Sequence, residues 1–296
     1  MKKKIKFLDP SIKRKNDLTN KNFQLIKGTN IPLPSEVEIS ESGICNRKCS
    51  FCPRSDPNYP DINEFLSPKL HSKLIDELKK LDYRGVIRYS GFVEPLLDKN
   101  IFNLIYETKN KIPNSRCEIV TNGDVLDLKR LKKLFENGLD TLLISVYDGP
   151  KDAEKFQNLC NQAGLQEGQY VIRHRYFTEK KDFGLTISNR AGMMENSEHK
   201  IPALKTQMKS KCFYPSYTFF MDYNGDILMC PHDWGKKMIL GNLNKSSFMD
   251  IWASKKAIKI RKKLNKADRG FSPCNVCDVS GELIGRKHSL TWDGVN

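Results

Sequence analysis

Glu36-Val37-Glu38-Ile39-Ser40-Glu41-Ser42-Gly43-Ile44-Cys45-Asn46-Arg47-Lys48-Cys49-Ser50-Phe51-Cys52 is the stretch on which the reading of this chain turns. Glu36–Ser40 alternates polar and apolar residues, the period of a strand with one apolar face. Directly after it come Cys45, Cys49 and Cys52, so three thiols sit in a compact loop at a strand end. Thiolates in such a loop are the ligand set of an iron–sulfur cluster. A four-iron cluster with three protein ligands leaves one iron open to a small molecule. A structural zinc ion needs four ligands, and the nearest other candidates, His71 and Cys117, do not continue the spacing.

Working outward, strands and helices alternate. Helices are predicted over 69–81, 101–109, 126–137 and 153–163, and strands over 86–89, 117–120, 141–146 and 170–177. This alternation argues for a parallel sheet. Ser90-Gly91 and Thr121-Asn122-Gly123 follow strands, at the C-terminal ends where barrel-like sheets form active sites. After residue 205 the pattern changes. Two apolar runs flank Tyr223-Asn224-Gly225, and Asn-Gly between such runs is a hairpin signal. Ser246 and Ser247 can cap a helix running to about Lys266, with Ala253, Ala257, Ile260 and Leu264 on its apolar side and a densely basic opposite face. The expected organisation is a basic, loosely ordered lead-in over 1–35, a core domain over 36–205 and a small domain over 206–296.

Bulk properties narrow the function classes. With 39% hydrophobic and 29% charged residues the chain is globular rather than disordered. No stretch approaches the ~20 apolar residues of a membrane span. The lysine-rich start is not followed by the apolar segment of a secretory signal, so a cytoplasmic location is expected. The net charge of +15 is met by a solvated basic surface or by an anionic partner or substrate. Nine cysteines in a cytoplasmic chain point to metal rather than to disulfides. Four of them form a second set: Cys212 and Cys230 are separated by 17 residues, and Cys274 and Cys277 by two, after a gap of 43. Four thiolates close a site, and by their chemistry alone it suits zinc as well as iron–sulfur.

The first set, with Phe51 one residue before its last cysteine, resembles the signature of the radical S-adenosylmethionine (radical SAM) superfamily. The resemblance extends to Ser90-Gly91-Phe92-Val93-Glu94-Pro95, similar to the family's glycine-rich segment ending in glutamate-proline, although Val93 stands where glycine is usual. It covers residues 36–205. It implies an α/β fold, a partial parallel (β/α) barrel, and a 4Fe–4S cluster on Cys45, Cys49 and Cys52. The open iron would chelate S-adenosylmethionine, whose reductive cleavage gives a hydrogen-abstracting 5′-deoxyadenosyl radical. Phe51, Gly91, Glu94, Asn122, Ser145 and Arg173 are the cofactor-binding residues so implied, with Arg175 an alternative to Arg173. The C-terminal region resembles the family's auxiliary-cluster domains, called SPASM when long and twitch when short. With four cysteines rather than seven it is similar to the hairpin-plus-helix twitch form. That implies a second 4Fe–4S cluster on Cys212, Cys230, Cys274 and Cys277. The cysteine spacing is similar to that of a twitch enzyme oxidising an aminocyclitol alcohol.

The expected function is therefore a radical SAM oxidoreductase acting on a polar small molecule, a sugar or aminocyclitol, with the second cluster as electron acceptor. Asp233 is a candidate base. Cys117, with Cys160, is a candidate hydrogen-donor thiol against the plainer reading of a small buried hydrophobe. A reductant protein such as flavodoxin or ferredoxin is the expected partner. One alternative is a radical SAM enzyme that epimerises or cross-links a peptide. Another is a non-catalytic metal protein binding nucleic acid through its basic surface; nucleic acid is not a partner under the enzyme readings.

Overall fold

The computed structural model describes residues 11–178, 181–182 and 187–295. Eight strands form one sheet: β1 (Glu36–Ser40), β2 (Val86–Tyr89), β3 (Arg116–Thr121), β4 (Thr141–Val146), β5 (Tyr170–His174), β6 (Thr218–Asp222), β7 (Asp226–Leu228) and β8 (Ile239–Asn242). Their spatial order is β8-β7-β6-β1-β2-β3-β4-β5. The six from β6 to β5 are mutually parallel, and β6, β7 and β8 run antiparallel. This is the expected α/β architecture, a partial parallel barrel followed by a hairpin.

The pleat sorts the strand residues onto two faces. Val37, Ile39, Ile87, Ile119, Leu142 and Ile144 join one apolar core with the helices α2 (Pro68–Lys80), α3 (Ile101–Lys111), α4 (Leu128–Glu136) and α5 (Pro150–Gln162). The other face carries Glu36, Glu38, Ser40, Arg88, Glu118 and Ser145, all buried. Buried charges need partners, and Arg88 supplies one: it donates to Glu36 at 2.5 Å and to Glu118 at 2.9 Å.

The lead-in differs from expectation. Residues 1–10 lie outside the described residues, but Ser11–Lys21 is a docked helix, α1, rather than loose chain. Its Arg14 pairs with Glu118, and its Lys15 donates to Glu36 at 3.2 Å. These carboxylates are buried by the strands that carry them, and α1 brings two of the cations that neutralise them. The partner of Arg14 is 104 residues away in sequence, beyond the reach of local patterning.

The hairpin forms at Asn224-Gly225 as expected, with Gly225 at φ +87°. Yet β6 lies beside β1 in parallel register, Glu36 opposite Thr218 and Ser40 opposite Asp222. The main sheet thus continues past residue 205. The helix expected from Ser246 to Lys266 is two, α6 (Phe248–Trp252) and α7 (Lys255–Asn265), because Ser254 accepts from Ala257 N and starts a second helix. A further helix, α8 (Arg286–Asp293), closes the chain. The buried Arg261 guanidinium lies 3.9 Å from both the Trp252 and Trp292 ring centroids, locking α6, α7 and α8 together.

Candidate active site

The first cysteine set follows β1. A short ladder between Ser42–Gly43 and Ile62–Phe65 closes the base of its loop. Inside, the buried Arg54 donates to Phe92 O at 2.7 Å, to Gly43 O at 2.9 Å and to Asp61 at 2.5 Å. Cys52 N donates to Cys49 O at 2.9 Å, which closes a tight turn between the last two cysteines. Asn46 and Arg47, between the first two cysteines, tie the loop to the neighbouring strand ends. Arg47 is bidentate to Asp124, at 2.7 and 2.5 Å, and reaches Asp148 at 2.9 and 2.6 Å. Asn46 accepts from Asn122 Nδ2 at 2.8 Å and donates to Asp124.

Glu94 is 2% exposed. Its carboxylate accepts from Thr121 Oγ1 at 2.6 Å, Asn122 N at 2.7 Å and Leu96 N at 3.0 Å. Burial pushes this carboxyl up to about 7, although the three donors favour its charged form. Gly91, at φ +101°, could not carry a side chain: a Cβ would lie 2.9 Å from the Phe220 ring and 3.1 Å from Ser40 Cβ. The end of β2 is thereby packed against β1 and β6. The Phe51 ring lies 5.3 Å from that of Tyr147, which follows β4. Ser145 and Arg173 are cross-strand neighbours on β4 and β5, and Arg175 is buried just beyond. The structure therefore brings Glu94 and Asn122 to the cysteine loop that carries Phe51, with Ser145 and Arg173 on the next two strands, β4 and β5.

Cys117 is elsewhere. It is fully buried near the start of β3, in the apolar core that faces the helices, and Ser145 and Glu118 lie on the opposite face. A thiol sealed behind the sheet cannot hand a hydrogen atom to a substrate, so the donor role is withdrawn. Its parity with Ile119 carried that information in the sequence.

The second set lines a small recess. Cys212 precedes β6, Cys230 follows β7, and Cys274 and Cys277 share a loop after α7; all four are buried. Arg269 pins these segments, donating to Ser210 O at 2.9 Å, Lys211 O at 2.8 Å and Val279 O at 2.9 Å. A Cβ on Gly281 would stand 2.3 Å from Cys212 Sγ, so only glycine fits there. His232 N and Val279 N approach the sulfurs of Cys230 and Cys277 at 3.4 and 3.5 Å. Asp233 also lines the recess, but both its oxygens close their own turn, accepting from Lys237 N at 3.0 Å and Met238 N at 2.7 Å.

Burial, with neighbouring thiols adding to it, raises the thiol pKa in both sets, to about 12 at Cys49 and about 11 at Cys277. Each set therefore needs compensating positive charge to hold thiolates. Among the described residues no three His, Cys, Asp or Glu side chains converge as ligands of a single ion would. A cubane places its ligand sulfurs on separate irons, so thiols spaced around a recess suit it.

Arg190 was not singled out by sequence reasoning. It is near enough to Cys52 to favour that thiolate, and its Nη1 is 3.4 Å from His232 Nδ1, beside Cys230. It thus stands between the two cysteine sets. Arg190 and Ala191 have φ of +46° and +54°, left-handed values costing about 1–3 kcal/mol each. Asn189 holds this turn, donating to Val276 O at 2.7 Å, while Asp278 accepts from Asn189 N at 3.0 Å.

The pattern of the radical SAM superfamily matches residues 39–180, and that of the SPASM iron–sulfur cluster-binding domain matches residues 212–278. This chain belongs to the radical SAM superfamily: it is an enzyme that uses S-adenosylmethionine and a 4Fe–4S cluster, with a further iron–sulfur domain. Within that superfamily it is 33% identical over 246 residues to the S-adenosyl-L-methionine-dependent 2-deoxy-scyllo-inosamine dehydrogenase of Niallia circulans, covering 82% of this chain and 92% of that protein. The crystal structure of BtrN in complex with AdoMet and 2-DOIA aligns with a TM-score of 0.70 and 32% identity, covering 84% of this chain and 94% of that one. BtrN in an open conformation aligns with a TM-score of 0.61 and 26% identity, covering 85% and 96%. Among the described residues no helix is long and apolar enough to cross a membrane.

Proposed function

We propose that this enzyme oxidises a secondary alcohol of a small polar ring, an aminocyclitol or sugar, to a ketone. The observation that carries this reading is the 33% identity to an aminocyclitol dehydrogenase across 92% of its length. Cys45, Cys49 and Cys52 hold one 4Fe–4S cluster, and Cys212, Cys230, Cys274 and Cys277 hold a second. When bound, these clusters and S-adenosylmethionine supply hydrogen abstraction and a sink for the electron left on the substrate. The protein's own groups do the rest. Glu94, held by Thr121 and Asn122, faces the cofactor's ammonium group, and Arg173 faces its carboxylate. Gly91 and Ser145 shape the cofactor cleft beside Phe51. Arg190, between the cysteine sets, orients the substrate's oxygen with its fork of N–H donors. Asp233 takes the hydroxyl proton once the substrate loosens its turn. The core domain spans 36–205 and the auxiliary-cluster domain 206–296, with β6 of the second joined to the sheet of the first. Electrons come from a flavodoxin- or ferredoxin-type protein, in the cytoplasm, where thiols stay reduced.

The test is anaerobic turnover of 2-deoxy-scyllo-inosamine deuterated at the carbinol carbon. The expected product is lighter by one hydrogen and one deuterium, with the deuterium recovered in 5′-deoxyadenosine. A product in which the deuterium has been replaced by solvent hydrogen, with no second hydrogen lost, would establish epimerisation instead and sink this reading. No product, alongside turnover of a peptide, would favour the peptide-modifying alternative.

A further inference from the structure

Among the described residues, one face of α7 is left without a partner. Ile260 and Leu264 on its buried side pack against Cys212, Cys230 and Cys274, and Cys212 N donates to Leu264 O at 3.2 Å. The helix is one wall of the four-cysteine recess. Its outer side and C-cap carry Lys255, Lys259, Lys262 and Lys266, spaced three and four apart along an open groove floored by Ile258. Lys263 pairs with Asp268, and Lys256 donates to Ile239 O. Among the described residues, the four stripe ammonium groups make no ion pair or hydrogen bond.

Among the described residues, the helix dipole favours Lys262 in the last turn, but repulsion along the stripe opposes the arrangement as a whole. Like charges three and four residues apart destabilise a helix. Lys255 and Lys256 occupy the first turn, where the helix dipole favours anions. Repulsion between these lysines works against the helix that walls the four-cysteine site. A partner of opposite charge would offset both effects.

We propose that this lysine stripe docks an acidic one-electron carrier protein, of the iron–sulfur or flavin type, over the four-cysteine site. The proposal rests on the assignment of an iron–sulfur cluster to those cysteines. A carrier seated on the outer face stands about one helix diameter, roughly 10–12 Å, from the recess. An apolar partner would find no matching surface, and an acidic one finds four unpaired cations around a groove.

The experiment measures binding of a purified ferredoxin and a purified flavodoxin to the holoenzyme at low and high ionic strength. The variants are K255E/K259E/K262E/K266E, its Lys→Gln counterpart, and a control, K27E/K69E/K129E/K132E. The control changes the net charge equally at exposed lysines elsewhere. The stripe variants should lose about tenfold or more in carrier affinity, with a shallower salt dependence and slower carrier-driven turnover. Their iron content and dithionite-driven formation of 5′-deoxyadenosine should match wild type, and the control should bind near wild type. Equal losses in control and stripe variants, or unchanged affinity in the Lys→Gln variant, overturn the proposal. So does duplex DNA binding as tightly as the carriers and being lost with the same stripe, since the face is then a general polyanion surface. Failure of wild type to form 5′-deoxyadenosine with dithionite would count against the catalytic reading, separately from the binding result.

Discussion

Arg47 and Asp124 form a bidentate pair, at 2.7 and 2.5 Å, that ties the middle of the first cysteine set to the end of β3. The same guanidinium reaches Asp148 beyond β4, so one side chain orients the loop across two strands. Lysine offers a point charge and cannot reproduce that fork. Arg47→Lys should therefore lower 5′-deoxyadenosine formation about 10- to 100-fold, the usual cost of losing a group that orients metal ligands. Wild-type rates with full iron content would show that the loop holds its shape without the pair.

The cysteine assignments separate by metal analysis. Wild type should hold about eight irons per chain as two cubanes. Replacing Cys45, Cys49 and Cys52 with Ala should leave about four and abolish 5′-deoxyadenosine. Replacing Cys274 and Cys277 should also leave about four, but with cofactor cleavage retained. One zinc with four irons in wild type would overturn the second assignment.

Glu94 predicts a pH dependence. Its carboxyl, raised by burial to about 7, is mostly protonated below that pH and cannot attract an ammonium group. S-adenosylmethionine affinity should therefore climb as pH rises toward 7. Glu94→Gln should bind about tenfold more weakly near neutral pH and lack the climb. Calorimetric titration across that range checks both, and an identical rise in the variant would remove Glu94 from the site.

Glu118 predicts the acid limit of the fold. Burial raises its pKa, but Arg88 and Arg14 outweigh that and hold it down at about 2. Its contribution is present above the unfolded carboxyl's pKa and is lost as pH falls toward 2, on the order of 3 kcal/mol in total. Arg14→Met removes one cation, so acid unfolding followed by circular dichroism should begin at a higher pH. An unchanged midpoint would mean that Arg88 and Arg116, whose Nε donates to Glu118 at 2.8 Å, suffice.

What the sequence determined by itself was local. Three thiols within eight residues, the alternation of Glu36–Ser40 and the Asn224-Gly225 turn each act over a few residues. Their chemistry follows from spacing, and the cysteine sets, the alternating strands and helices and the hairpin were legible from it. Parity along β3 already placed Cys117 with Ile119 on the apolar face. The tertiary structure decided which distant groups meet. Pairing of β6 with β1 carries the main sheet across the expected domain boundary. The charges that this face buries draw α1 into place, through Arg14 and Lys15, because an unpaired buried carboxylate is costly. Arg47 meets Asp124, Arg269 pins the second cysteine set, and Arg190 stands between the sets only after the chain has closed. An arginine's partner is chosen by burial and geometry across the fold, and no short-range pattern records it.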